Sequence, residues 1–179
     1  MSLKLDFRPE KPDLPLILAT QSYKEIWERD GQRIQDTFFK LTGLRFKQRH
    51  ITAIIVPGDE SSSGMTGVHM RLGADQYPHE KKAVALVHEL GHRLLGGNKV
   101  WTELEHKANK YFEHRRLDLF LYDAYCDLYG KEAADEVIET ERQDALFYGK
   151  AWDWALQFSR KERQQKLRQI IKRKQEKNS

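Results

Sequence analysis

Apolar residues recur along the chain with two different periods, which predict two kinds of element. Over residues 20–42 the apolar positions follow a period close to 3.6, which predicts a helix that Gly43 ends. Residues 51–56 are β-branched and mostly apolar and precede a Pro-Gly pair, a pattern typical of a buried strand that runs into a turn. Residues 66–72 alternate between apolar and polar side chains, which predicts a second strand at a sheet edge with one face exposed to water.

Helical patterns dominate the rest of the chain. An apolar stripe begins near Pro78, which is favoured in a first helical turn, and stops at Gly96 and Gly97. Thr102-Glu103-Leu104-Glu105 matches a capping box and predicts another helix start. The further predicted helices are residues 117–129, ended by Gly130, then 131–143 and 144–175. Helix, a few strands and then helices to the end indicate an α+β fold with one small sheet and a helical C-terminal half.

Positive charge is concentrated in the last twenty residues. Residues 160–179 contain nine Lys or Arg and two Glu, a net charge of +7; because the chain carries +4, residues 1–159 carry −3. A length of 179 residues suits one domain. We assign residues 1–159 to it, with 160–179 as a basic C-terminal helix or tail of the same domain. Such a segment could bind nucleic acid or an anionic membrane surface by neutralising phosphates, or could be a solvated terminal helix.

Two features of the composition bear on the compartment. The single cysteine, Cys126, excludes an intrachain disulfide, which fits a reducing compartment. No apolar run approaches the roughly 20 residues that a membrane-spanning helix needs. The apolar stretch from Leu14 to Ala19 lacks the basic lead and cleavage site of a signal peptide. We therefore expect a cytoplasmic protein without a membrane span.

Residues 88–92 read His-Glu-Leu-Gly-His and carry the strongest chemical signal. His88 and His92 are four apart on the predicted helix, so their imidazoles lie on one face and can share a Zn²⁺ ion. A zinc ion lowers the pKa of a bound water to about 7. Glu89 follows the first histidine directly and can act as the general base toward that water. The competing interpretation is a pair of satisfied histidines without a metal.

This segment resembles the active-site helix of the zincin metallopeptidases, with a local match over about residues 50–96. The resemblance implies a zincin-like fold, in which a small, mostly antiparallel sheet packs on the helix that carries the motif. It also implies a catalytic zinc with Glu89 as base. Residues 66–71 would form an edge strand that could hold an extended peptide by strand addition.

The third zinc ligand does not follow from the motif. The longer metzincin motif has a glycine and a third histidine where this chain has Leu95 and Asn98, so that branch is excluded. The gluzincin branch takes its third ligand from a later helix. Asp123 is our first choice, because a carboxylate in an apolar run is costly to bury unless a partner such as a metal resolves the cost. Four more residues remain candidates: Glu105, Glu113, His114 and Asp118.

The sequence thus predicts a zinc-dependent hydrolase, in its most specific form a metallopeptidase that acts on a peptide or protein substrate. Two different functions remain open. One is a catalytically silent zincin-like scaffold that binds a protein or nucleic-acid partner. The second is a metal hydrolase of a non-peptide substrate. A scaffold has no need of a base at Glu89, and that residue is present.

Overall fold

The computed structural model of the protein describes residues 3–59, 61–63, 69–75, 79–101, 110–144 and 146–177. The chain divides into two compact units. One comprises Met1–Gln35 and Phe46–Gly97, and the other comprises Asp36–Arg45 and Asn98–Ser179. Helices and one small sheet are both present, so the predicted α+β class is confirmed.

The sheet belongs to the first unit and has the strand order β1-β2-β4-β3. Its strands are β1 (Lys4–Pro9), β2 (His50–Val56), β3 (Ser62–Ser63) and β4 (His69–Gly73). β1, β2 and β4 are parallel, and only the two-residue β3 runs antiparallel to its neighbour β4. The predicted mostly antiparallel sheet is therefore wrong. Strand β1 has no counterpart in the sequence prediction, and the chain returns from it to β2 through a helix, a crossover that makes the two strands parallel.

That helix is α1 (Leu14–Thr42), which begins six residues before the predicted start. Asp13 caps it, because its side chain accepts a hydrogen bond from the Leu16 amide at 3.1 Å. Within the first unit, the buried Tyr23 stacks on Phe7 of β1 and donates its hydroxyl to the Gly73 carbonyl at 3.0 Å. These contacts hold α1 against the sheet near the end of β4.

Helix α2 (His79–Gly97) carries the His-Glu-Leu-Gly-His segment and confirms the predicted helix with its glycine end. It packs against β3 and β4. The edge strand predicted over 66–72 is only partly described, since 66–68 lie outside the described residues. Its described part is interior: Met70 and Arg71 pair with β2 on one side and with β3 on the other. The edge beside β4 is formed by β3.

The second unit contains four described helices in addition to the last turns of α1. They are α3 (Lys110–Tyr129), α4 (Lys131–Asp144), α5 (Leu146–Leu156) and α6 (Arg160–Lys177). Helix α3 contacts each of the other three. Gly130 separates α3 from α4 with φ of 90°, a value that favours glycine. The capping box predicted at 102–105 lies outside the described residues, and the single helix predicted over 144–175 is two helices.

Among the described residues, no helix combines the length and the apolar composition that crossing a bilayer requires.

Candidate metal site

Two imidazoles converge on one face of α2. The Nε2 atoms of His88 and His92 lie 3.1 Å apart, and both residues are 8% exposed. Two nitrogens bound to one tetrahedral zinc at 2.0–2.1 Å would be about 3.3 Å apart. The separation of the two nitrogens fits a hydrogen bond between the rings and also fits a shared ion, which the spacing of four residues along the helix predicts.

His114 on α3 is also buried, and one hydrogen bond indicates which ring nitrogen carries the proton when the ring is neutral. Its Nδ1 lies 2.8 Å from the carbonyl oxygen of Lys110. Because a carbonyl only accepts, Nδ1 must carry the proton in the neutral ring, which leaves the lone pair of Nε2 available to a metal. The ring also packs edge-on against Tyr148, with 4.6 Å between ring centroids, and this contact restrains its orientation.

His88, His92 and His114 each offer a ligand atom, and these atoms all lie within 4.8 Å of one another. Among the described residues, this is the one group of three or more potential metal ligands. Three neutral imidazoles suit Zn²⁺, and also Cu, Fe and Ni. Zinc sites with three protein ligands are typical of catalytic centres, because the fourth position stays open to water or substrate. The donor set thus fits a zinc ion.

Asp123, our first choice for the third ligand, does not belong to this group. Its buried carboxylate is bound instead by the buried guanidinium of Arg163, with distances of 2.5 Å from Nη2 to Oδ1 and 3.3 Å from Nε to Oδ2. This carboxylate is buried as predicted, but the cost of its burial is offset by an arginine and not by the metal that we expected. The next acid on the helix, Asp127, accepts two hydrogen bonds from Arg160 at 2.8 and 2.7 Å.

The four remaining candidates for the third ligand differ in where they lie. Glu105 is outside the described residues. Glu113 is buried beside His114 but is not part of the group of three. Asp118 is fully buried, and neither of its carboxylate oxygens has a hydrogen-bond partner among the described residues. Burial, together with the negative charge of Glu141, raises the pKa of Asp118 well above its usual value. His114 is the candidate that joins the two histidines of α2.

Glu89 is 5% exposed, and within the first unit its charge acts on Tyr23 and Arg93. Its negative charge contributes, after burial, to raising the pKa of Tyr23. Arg93, four residues further along α2, has a pKa lowered by burial, which the charge of Glu89 opposes. Arg93 also donates a hydrogen bond to the carbonyl oxygen of His69 in β4. A buried cation thus sits one helical turn from the candidate base and ties α2 to the sheet.

Sequence reasoning missed these two neighbours of Glu89. For Arg93 a signal existed, because residues four apart on a helix are neighbours and an acid followed by a base at this spacing is attractive. For Tyr23 there was none, since 66 positions separate it from Glu89 and only the packing of α1 brings it near.

No protein-family model matches the chain, and no curated protein or solved structure matches it. The resemblance to the zincins therefore rests on the sequence of residues 50–96, and mainly on the His-Glu-Leu-Gly-His segment.

Proposed function

We propose that the protein is a zinc-dependent hydrolase in which His88, His92 and His114 hold the ion and Glu89 is the general base. The observation that carries this proposal is the group of three buried imidazoles whose ligand atoms lie within 4.8 Å. A chance His-Glu-x-x-His segment would not require a third buried histidine nearby with its Nδ1 proton already committed to a carbonyl. Metal-binding histidines commonly donate their other ring N–H in this way.

The chemistry divides between the ion and the protein. A bound zinc supplies a water whose pKa is near 7. Glu89 takes a proton from the attacking water and gives it to the leaving group, which is general acid–base catalysis by one carboxylate. Its low exposure favours this role, because electrostatic interactions strengthen where water is excluded. Arg93 acts as a positioning residue: its charge attracts Glu89, and its bond to the His69 carbonyl fixes it against β4.

A peptide substrate is the form of the proposal that the zincin resemblance favours. Strand addition needs an edge with unpaired backbone groups. The described part of β4 is paired on both sides, so it offers no such edge at Met70 and Arg71. The outer edge of the sheet next to α2 is β3, Ser62–Ser63, and we place an added peptide strand there.

Metal content tests the ligand set. We expect about one zinc per purified chain by elemental analysis, and loss of it in H88A, H92A and H114A. The matched control is H50A, which removes an exposed histidine of β2. D123N should keep its zinc, because Arg163 and not a metal binds that carboxylate. Wild-type protein that stays free of zinc after reconstitution would refute the proposal, and loss of zinc in D123N would restore Asp123 as a ligand.

Hydrolysis tests the base. E89Q preserves the shape of the side chain but removes the proton acceptor, so zinc content should persist while peptide hydrolysis falls about 10²- to 10⁴-fold. E28Q, at an exposed position of α1, is the control for the same chemical change. The substrates are a mixed library of fluorogenic peptides and a set of activated esters. Cleavage of esters alone would favour the non-peptide hydrolase, and a zinc-loaded wild type inert toward both would favour the silent scaffold.

A further inference from the structure

Within the second unit, helix α6 is held in place by two ion pairs to α3 and by an apolar strip. Arg163 binds Asp123, and Arg160 binds Asp127, both on α3. Leu167 is fully buried and Ile171 nearly so. Four of its residues thus face inward at spacings of three and four, and the rotational position of the helix is fixed. The opposite face is therefore presented to solvent in a defined orientation.

That outward face carries cations in a line. Lys161, Arg168 and Lys172 are exposed and lie 7 and 4 residues apart, which places them within about 40° of one another around the helix axis. The line is about 16 Å long at 1.5 Å per residue. Glutamine side chains flank this line. The surface comprises six residues: Lys161, Gln164, Gln165, Arg168, Gln169 and Lys172. We call these six residues the basic stripe.

The acids of α6 do little to neutralise the basic stripe. Glu162 accepts hydrogen bonds from the Ser159 amide and hydroxyl at 2.8 and 2.7 Å, so it is engaged at the helix start. Glu176 approaches Lys172 only to 3.9 Å, and both side chains are well exposed. An exposed pair at this distance contributes little. The stripe therefore keeps its positive charge.

We propose that the basic stripe binds the phosphate backbone of duplex DNA. Lys and Arg neutralise phosphates, and glutamine amides add hydrogen bonds to phosphate and base edges. An exposed helix face fits the B-DNA major groove, about 12 Å wide, whereas the A-form groove of duplex RNA is too narrow.

Two features of α6 argue against other polyanions. The helix contains no aromatic residue, and binding of single strands relies on base stacking against aromatic side chains. Its buried apolar residues, Leu167 and Ile171, face inward, and the half-buried Ile170 lies about 180° around the helix from Lys161, so the stripe itself has no apolar surface to insert into a membrane. The exposed side chains of the stripe are therefore complementary in charge to a double-helical phosphate backbone.

The test is fluorescence anisotropy of the full chain with a labelled 20-base-pair DNA duplex over a salt series. Three phosphate contacts predict a slope of log K against log[salt] of about −2.7, which is roughly a 40-fold loss of affinity from 50 to 200 mM salt. K161Q/R168Q/K172Q should abolish this binding. The control K4Q/K24Q/K150Q removes the same charge from exposed positions elsewhere and should bind as the wild type does.

Three results would overturn the proposal. The first is equal binding by the stripe variant and the control, which would show a net-charge effect. The second is tighter binding to a single strand or to an RNA duplex of the same length. The third is binding to vesicles of phosphatidylserine and phosphatidylcholine with none to the duplex. Circular dichroism of the stripe variant checks that α6 still forms, and its zinc content reports separately on the metal site.

Discussion

Replacing Arg163 with methionine would leave the Asp123 carboxylate buried without its cation. Arg163 makes two contacts to that carboxylate and also donates to the Phe158 carbonyl at 2.6 Å, so three interactions are lost at once. Removing one partner of a buried ion pair costs about 3–5 kcal/mol, because the remaining charge stays desolvated. For a protein of this size that corresponds to a decrease in Tm of about 6–20 °C.

Chemical denaturation of three variants measures this energy. R163M should lower the free energy of unfolding by about 3–5 kcal/mol, whereas D123L/R163M should recover most of it, since apolar residues of similar volume often replace a buried pair without loss. The control R173M removes an exposed arginine from the same helix and should stay within about 0.5 kcal/mol of the wild type. An R163M protein as stable as R173M would refute the reasoning. So would a double variant less stable than R163M.

Three further changes test other parts of the structure. Burial raises the pKa of Asp118 in the folded state, so its contribution to stability is full below about pH 3.9 and is lost as the pH rises through the folded pKa. D118N should therefore gain stability relative to the wild type as the pH rises above about 4 in denaturation curves. In G73A the new Cβ would meet the backbone of residues 58 and 59 at 2.6–2.8 Å, and we expect a loss of about 1–3 kcal/mol by thermal unfolding, which an unchanged Tm would contradict. S159A removes the cap of α6 and should lower the free energy of unfolding by about 1 kcal/mol. The control is S22A, because the Ser22 hydroxyl only bonds back to the Leu18 carbonyl within α1.

The parts of the fold that were predictable are those with local causes. Helix α2 needs only its apolar stripe and a glycine end, and α3 ends at Gly130 for a similar reason. The direction of the sheet has no local cause. It depends on β1, where Phe7 is the one buried residue of six, so the short strand shows too little alternation to be recognised.

The candidate third metal ligand shows the same limit within a single helix. His114 and Asp123 both lie on α3, and both are chemically capable of binding zinc. The apolar run around Asp123 predicts that its burial is costly, but the residue that offsets this cost is Arg163, 40 positions away on another helix. Only the packing of α6 on α3 decides between the two. Pattern reasoning can therefore identify a buried charge without identifying its partner.

The break between α5 and α6 has a local cause in the sequence that the prediction of one helix over 144–175 missed. Ser159 and Glu162 form a capping box, and the Arg163 amide bonds to the Ser159 carbonyl at 2.9 Å as the first turn of α6 closes. This new start sets the register of the whole helix. It places Arg160 and Arg163 against the acids of α3, and the same register then directs Lys161, Arg168 and Lys172 outward. A helix that ran on from α5 without the break would have no reason to meet α3 in this register. The Ser159 cap therefore marks where the helix that carries the basic stripe begins, while the ion pairs with α3 hold its orientation, so S159A should weaken duplex binding far less than K161Q/R168Q/K172Q does.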